Sequence, residues 1–127
     1  KSTLRRKDGP HSGNQFVRQE VAAGKAQHMA WASERADGGR GFGFTGGHDH
    51  WNWGNDNFRK LVLNAITWTA KVNVPDSGVK SKPVSVKDLE QNQDYAKPKN
   101  YNPLRIQKLL DQWNGRKTSS SSKRIRP

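Results

Sequence analysis

Hydrophobic positions recur along this chain with two different periods, and the change between them divides it. In residues 15–23, "QFVRQEVAA", the spacing predicts a short helix that Gly24 closes. Residues 27–35, "QHMAWASER", and 40–48, "RGFGFTGGH", alternate apolar with small or polar residues, and "ADGG" lies between them. They predict a β-hairpin or two neighbouring strands, with Phe42 and Phe44 on one face and Gly41, Gly43 and Thr45 on the other. The period then changes to three-and-four. In "NDNFRKLVLNAITWTAK", Asn55 or Asp56 can cap a helix whose buried stripe is Phe58, Leu61, Val62, Ala65, Ile66 and Thr69. Leu63 and Trp68 fall off that stripe, so the helix is expected to be covered on more than one side. Pro75 and Gly78 stop it, and "VPDSGVKSKPVS" reads as a linker. Beyond the linker, "SVKDLEQNQD" offers a short capped helix and "YAKPKNYN" an extended piece broken by proline. "PLRIQKLLDQWN" reads as a helix with Pro103 in its first turn and one sticky side from Leu104, Ile106, Leu109, Leu110 and Trp113.

Composition narrows what these elements can build. The chain has 127 residues and is 31% hydrophobic, enough for one domain at most and thin for a self-sufficient core. A fragment or a partner-dependent piece fits that balance. No apolar run reaches the ~18 residues of a membrane span, so no membrane partner is expected. There is no cysteine, which removes disulfides, thiolate nucleophiles and cysteine-type zinc sites. The first residues, "KSTLRRKDGPHSGNQ", contain neither an apolar signal core nor an amphipathic presequence. Compartment stays open, a secreted or periplasmic setting included, and so does oligomeric state.

The formal net charge of +12 would draw polyanions. Nine of the 23 basic residues, however, sit at the two ends: Lys1, Arg5, Arg6, Lys7, Arg116, Lys117, Lys123, Arg124 and Arg126. Terminal runs of this kind are usually solvated, and "GRKTSSSSKRIRP" reads as a disordered tail.

The densest chemistry lies in "GRGFGFTGGHDHWNWG", residues 39–54. Gly41, Gly43 and Gly46 satisfy the dinucleotide-binding pattern G-x-G-x-x-G. Phe42 and Phe44 place those glycines inside a strand rather than in a turn entering a helix, and no ribose-binding acid follows at the required distance, so that reading fails. His48 and His50, two apart, would point the same way on an extended backbone, but two ligands do not make a metal site. Trp51 and Trp53 could stack on bases, yet residues 41–58 contain no Lys or Arg to hold phosphates. A nucleic-acid partner is therefore disfavoured, and no metal or cofactor is expected.

A strand ending in glycines with a histidine at its tip, then an aromatic loop and a capped helix, is how an open α/β sheet presents a reactive side chain. His48 is accordingly the candidate acid-base residue. Asp49, His50, Trp51 and Trp53 are candidates to line the substrate pocket. The plainer roles compete: the tryptophans as packing residues that pin the loop, Asp49 as a turn or capping residue.

From "WASERADGGRGFGFTGGHDHWNWGNDNFRKLVLNAITWTAKVNVPDSGV" the chain closely resembles the C-terminal part of trehalose-utilisation (ThuA-like) proteins, in particular a bacterial subgroup with Gly-Gly-His and Trp-Asn-Trp signatures. "DGPHSGN" upstream and "DLEQNQDYAKPKNYN" downstream resemble the same subgroup, so the likeness spans residues 8 to 114. It implies an α/β fold of the class I glutamine amidotransferase-like superfamily, a flavodoxin-like sheet with helices on both faces. It implies a sugar-related small molecule, from disaccharide or keto-sugar metabolism, as ligand. His48 stands where those amidotransferases place a histidine, but without a cysteine their triad does not carry over, and the reaction type does not follow. A whole domain of this kind takes about 200 residues. The resemblance therefore assigns residues 1–78 to the C-terminal part of such a domain, 79–114 to a helical extension with its linker, and 115–127 to the basic tail. The N-terminal part of the same domain would be a partner. The competing function is a non-catalytic binding or structural module.

Overall fold

A computed structural model describes residues 13–116; residues 8–12 of "DGPHSGN" and the tail from Lys117 lie outside the described residues. The elements are α1 (Gln15–Ala22), β1 (Ala30–Glu34), β2 (Arg40–Phe44), α2 (Asp56–Thr69), α3 (Val86–Leu89) and α4 (Pro103–Trp113). Two 3-10 turns, Gly46–His48 and His50–Gly54, fill the space between β2 and α2. Helix and strand are mixed, and the sheet is one antiparallel pair. This is compatible with an α/β class and contains no parallel crossover among the described residues.

The hairpin forms as its alternation predicts. Ala30 pairs with Phe44, Ala32 with Phe42 and Glu34 with Arg40, so both phenylalanines share a face. At the turn, the Asp37 carboxylate accepts from the Gly39 N–H at 2.8 Å and from Arg35 Nε at 3.0 Å, and Gly38 takes φ 78°, a left-handed conformation that favours glycine. Those hydrogen bonds, the one from Arg35 first, hold the Asp37 carboxyl below its ordinary range. On the outer face the Trp31 ring lies against Gly43, where a Cβ would have no room.

α2 begins at Asn55, whose side chain accepts from the Asn57 and Phe58 N–H groups, and Asp56 occupies the first turn, where a carboxylate suits the helix dipole. The stripe predicted to be buried is only partly so. Ala65 is buried, but Ile66 is 59% exposed, because the hairpin meets the helix at Phe58 and, through Arg40, at Trp68, and leaves Ile66 uncovered between them. Leu63 and Trp68, off the stripe, are half-buried. Trp68 lies under the Arg40 guanidinium, 4.9 Å from the ring centre.

The segment read as a linker is laid back along α2. Val79 N–H donates to Asn64 Oδ1 at 2.8 Å, and Gly78, with φ 75°, is packed so tightly that a Cβ would meet Lys60 Cδ at 2.8 Å. α3 is a single turn closed by a capping box between Ser85 and Asp88. α4 has Asn102 as N-cap and Pro103 in its first turn. The main apolar cluster joins Val86 and Leu89 to the fully buried Leu110, with Trp51, Val84, Ile106 and Trp113 packed around them. It is thus built across the two segments that the sequence divides at residue 78. Leu104, counted on the sticky side of α4, is 81% exposed.

Candidate functional site

β2 ends at Phe44 rather than running on to His48. Thr45 still pairs with the neighbouring strand, its N–H donating to the Met29 carbonyl at 3.0 Å, and then the chain turns. Gly46 permits the turn: a Cβ there would strike the Phe44 ring and lie 2.9 Å from Phe58. Asn52 Nδ2 donates to the Gly46 carbonyl at 2.8 Å and ties the two 3-10 turns together. The expectation that His48 sits directly at a strand tip is therefore corrected. It closes a 3-10 turn, is exposed, and follows Gly47, which borders an apolar groove described below.

Because the backbone is not extended here, His48 and His50 do not share a face as alternation predicts. His50 turns inward. Its Nε2 lies 2.7 Å from the Leu89 carbonyl oxygen, and since a carbonyl only accepts, Nε2 carries the proton. The ring meets Trp51 edge-on at 5.4 Å. Asp49 caps the second turn, accepting from the Trp51 N–H at 3.2 Å, the plainer of its two predicted roles.

The two tryptophans part company, so they do not line one pocket together as expected. Trp53 leaves toward α2, edge-on to Phe58 at 5.0 Å. With Phe42, Phe44, Val62 and Ile66 it lines an open apolar groove of about 310 Å³. Trp51 leaves the other way, against the Leu110 cluster, with its ring 6.2 Å from Tyr101. On that side it borders two hollows. One, of about 190 Å³, lies by His50, Glu90 and Lys97. The other, of about 440 Å³, lies along α4 by Tyr101, Arg105 and Lys108.

What fixes these positions is a residue the pattern of the sequence hides. Arg59, on α2 and 8% exposed, donates to the Trp53 carbonyl at 2.7 Å, the Asp56 carboxylate at 2.6 Å, Ser81 Oγ at 3.1 Å and the Lys82 carbonyl at 3.1 Å. One guanidinium thereby holds the tryptophan loop, the start of α2 and the returning strap. Partial burial pushes the Asp56 carboxyl up, but the guanidiniums of Arg59 and Arg116 more than offset this and hold it below its ordinary value. Asn114 completes the clamp, donating to the Gly54 carbonyl at 2.9 Å and accepting from the Asp56 N–H at 2.7 Å. Sequence spacing alone gives Arg59 no role, since it lies beside the apolar stripe like an ordinary solvated cation. Tyr101 and Arg105, about fifty residues from Trp51, had one available signal: aromatic and basic residues interleaved in "KPKNYNPLR".

Among the described residues, no group of three or more His, Asp or Glu side chains could hold a metal ion, and no helix is long and apolar enough to cross a membrane. The chain matches no family model, no curated protein and no solved structure.

Proposed function

We propose that the chain is the C-terminal part of a ThuA-like α/β domain, of the flavodoxin-like, class I glutamine amidotransferase-like kind, and that it serves a sugar-related small molecule at a rim bearing His48. One observation carries this reading. The groove of Phe42, Phe44, Trp53, Phe58 and Ile66 is apolar and open, as the inner face of a larger layered domain would be before its other layer is added. Gly47 borders that groove and His48 stands exposed immediately after it. The N-terminal part of the same domain would cover the phenylalanines and leave the imidazole at the join, within reach of a ligand. Asp49 then acts by shaping the loop and His50 by anchoring it.

The test is titration of the full-length protein that contains this chain with trehalose and with a keto-disaccharide, by calorimetry and by conversion assay, for the wild type and His48→Gln. Loss of binding or conversion in a variant with unchanged circular dichroism is the expected result; unchanged behaviour removes His48 from the site. A second reading, a non-catalytic sugar-binding module, is favoured by the hollows around Trp51 and Tyr101. It predicts binding that ignores His48→Gln and fails in Tyr101→Ala.

A further inference from the structure

The hollow along α4 differs chemically from everything near His48. Its floor is aromatic and aliphatic: the tilted pair of Trp51 and Tyr101, continued by Ile106 and Leu109. Its edge carries two cations, Arg105 and Lys108, on the same face of α4, with the side-chain amides of Asn100 and Gln112 beside them. No carboxylate lines it. Neither Arg105 nor Lys108 has an ion pair or side-chain hydrogen bond among the described residues. Arg35, Arg40, Arg59 and Arg116, by contrast, are each matched to an acid, while Lys97, 4.7 Å from the Tyr101 ring centre, is paired with Glu90. Lys108 shares its lack of an ion pair with other lysines among the described residues, so the unpaired guanidinium of Arg105 is the distinguishing charge. The Tyr101 hydroxyl is buried with no hydrogen-bond partner among the described residues, an arrangement that is unfavourable until a polar group reaches it. A volume of about 440 Å³ is in the range of small-molecule clefts.

From these features we infer a binding site for a small ring-shaped anion, a sugar bearing a phosphate or carboxylate, with the ring on Trp51 and Tyr101 and the anionic group on Arg105 and Lys108. The apolar C–H face of a pyranose suits an aromatic floor, amides suit ring hydroxyls, and a fork-shaped guanidinium suits an oxyanion. The charge that residues 41–58 lack is thus supplied to Trp51 by a helix far along the chain. This inference rests on the sugar reading above but uses a different face of the loop, and its ligand is charged where that reading requires no charge.

The experiment measures binding of glucose 6-phosphate, glucuronate, glucose and AMP to the full chain by tryptophan fluorescence and calorimetry, at 20 and 200 mM salt. Glucose 6-phosphate or glucuronate should bind at least tenfold more tightly than glucose, with affinity falling as salt rises. Arg105→Ala/Lys108→Ala, two exposed changes, should remove that preference, whereas His48→Gln should not touch it. Equal binding of glucose and the anionic sugars overturns the anion site while leaving the sugar reading standing. No binding of glucose 6-phosphate, glucuronate or glucose overturns the anion site, whereas the sugar reading falls only if trehalose and the keto-disaccharide fail to bind as well. Tighter binding of AMP than of either anionic sugar overturns the sugar assignment of this groove and marks it as a nucleotide-stacking surface. Tyr101→Phe gives a second readout: weaker binding of the anionic sugars supports a ligand contact at the hydroxyl, and unchanged binding with greater stability assigns that hydroxyl to packing alone.

Discussion

Gly54 and Leu110 occupy what is nearly the same space, and a double-mutant cycle between them tests whether the C-terminal helix is seated on the tryptophan loop as described. Leu110 is fully buried. A Cβ on Gly54 would lie 2.7 Å from Leu110 Cδ1 and 3.1 Å from Cγ, far inside contact distance, and Gly54 is not in a left-handed conformation, so alanine there meets a steric penalty and no backbone strain. Leu110→Ala should cost about 3 kcal/mol, toward the lower part of the range for buried leucines because the half-buried Trp51, Ile106 and Trp113 can relax into the gap. Gly54→Ala should cost roughly 1–3 kcal/mol by overpacking. In the double variant the new methyl enters the volume the leucine leaves, so the total should be smaller than the sum by about 1–2 kcal/mol. Urea unfolding followed by tryptophan fluorescence measures all corners, since Trp51 and Trp113 both border the cluster. Leu110→Val replaces Leu110→Ala should the latter be unfolded in water. Additivity to within about 0.5 kcal/mol would refute the seating of α4 on Gly54.

The remaining expectations concern the arginine clamp, the open groove and acid stability. Arg59→Ala should destabilise by about 2–4 kcal/mol, since it leaves the Trp53 and Lys82 carbonyls without their donor; Arg59→Lys should recover only part, because one ammonium cannot replace a fork that reaches in two directions. A urea midpoint equal to wild type for Arg59→Ala would contradict the clamp. Ile66→Glu should shift the urea midpoint little and weaken binding of a hydrophobic dye, whereas a loss above about 3 kcal/mol would mean that the α2 stripe is covered. Asp56 has a folded pKa below its unfolded value of about 3.9, so its contribution to stability is complete above that pH and disappears as acid carries the solution down through the folded value. Asp56→Asn should therefore flatten the dependence of the urea midpoint on pH below about 4, and an undiminished acid slope would sever Asp56 from Arg59 and Arg116.

By itself the sequence determined the local elements. The period of two around Phe42 and Phe44, the turn at Asp37–Gly39, the caps at Asn55 and Ser85 and the proline opening α4 are decided by backbone sterics and hydrogen bonds within a few residues, and each lies where the pattern puts it. Tertiary structure alone decided which faces meet. Gly46 must be glycine because two phenylalanine rings close on it, and that contact ends the strand before His48; the alternation "FTGGHDH" does not encode the contact. Trp51 and Trp53, two apart and alike in any pattern, go to opposite sides because one finds Leu110 and the other Phe58. Arg59 reads as a surface cation until the strap at Ser81 and Lys82 returns to bury it, and Arg105 reaches the Trp51 groove only because α4 packs beside it. Helix and strand periods follow from interactions a few residues long, while burial depends on partners tens of residues away, so one chain states its elements plainly and leaves the site they enclose to be read from the packing.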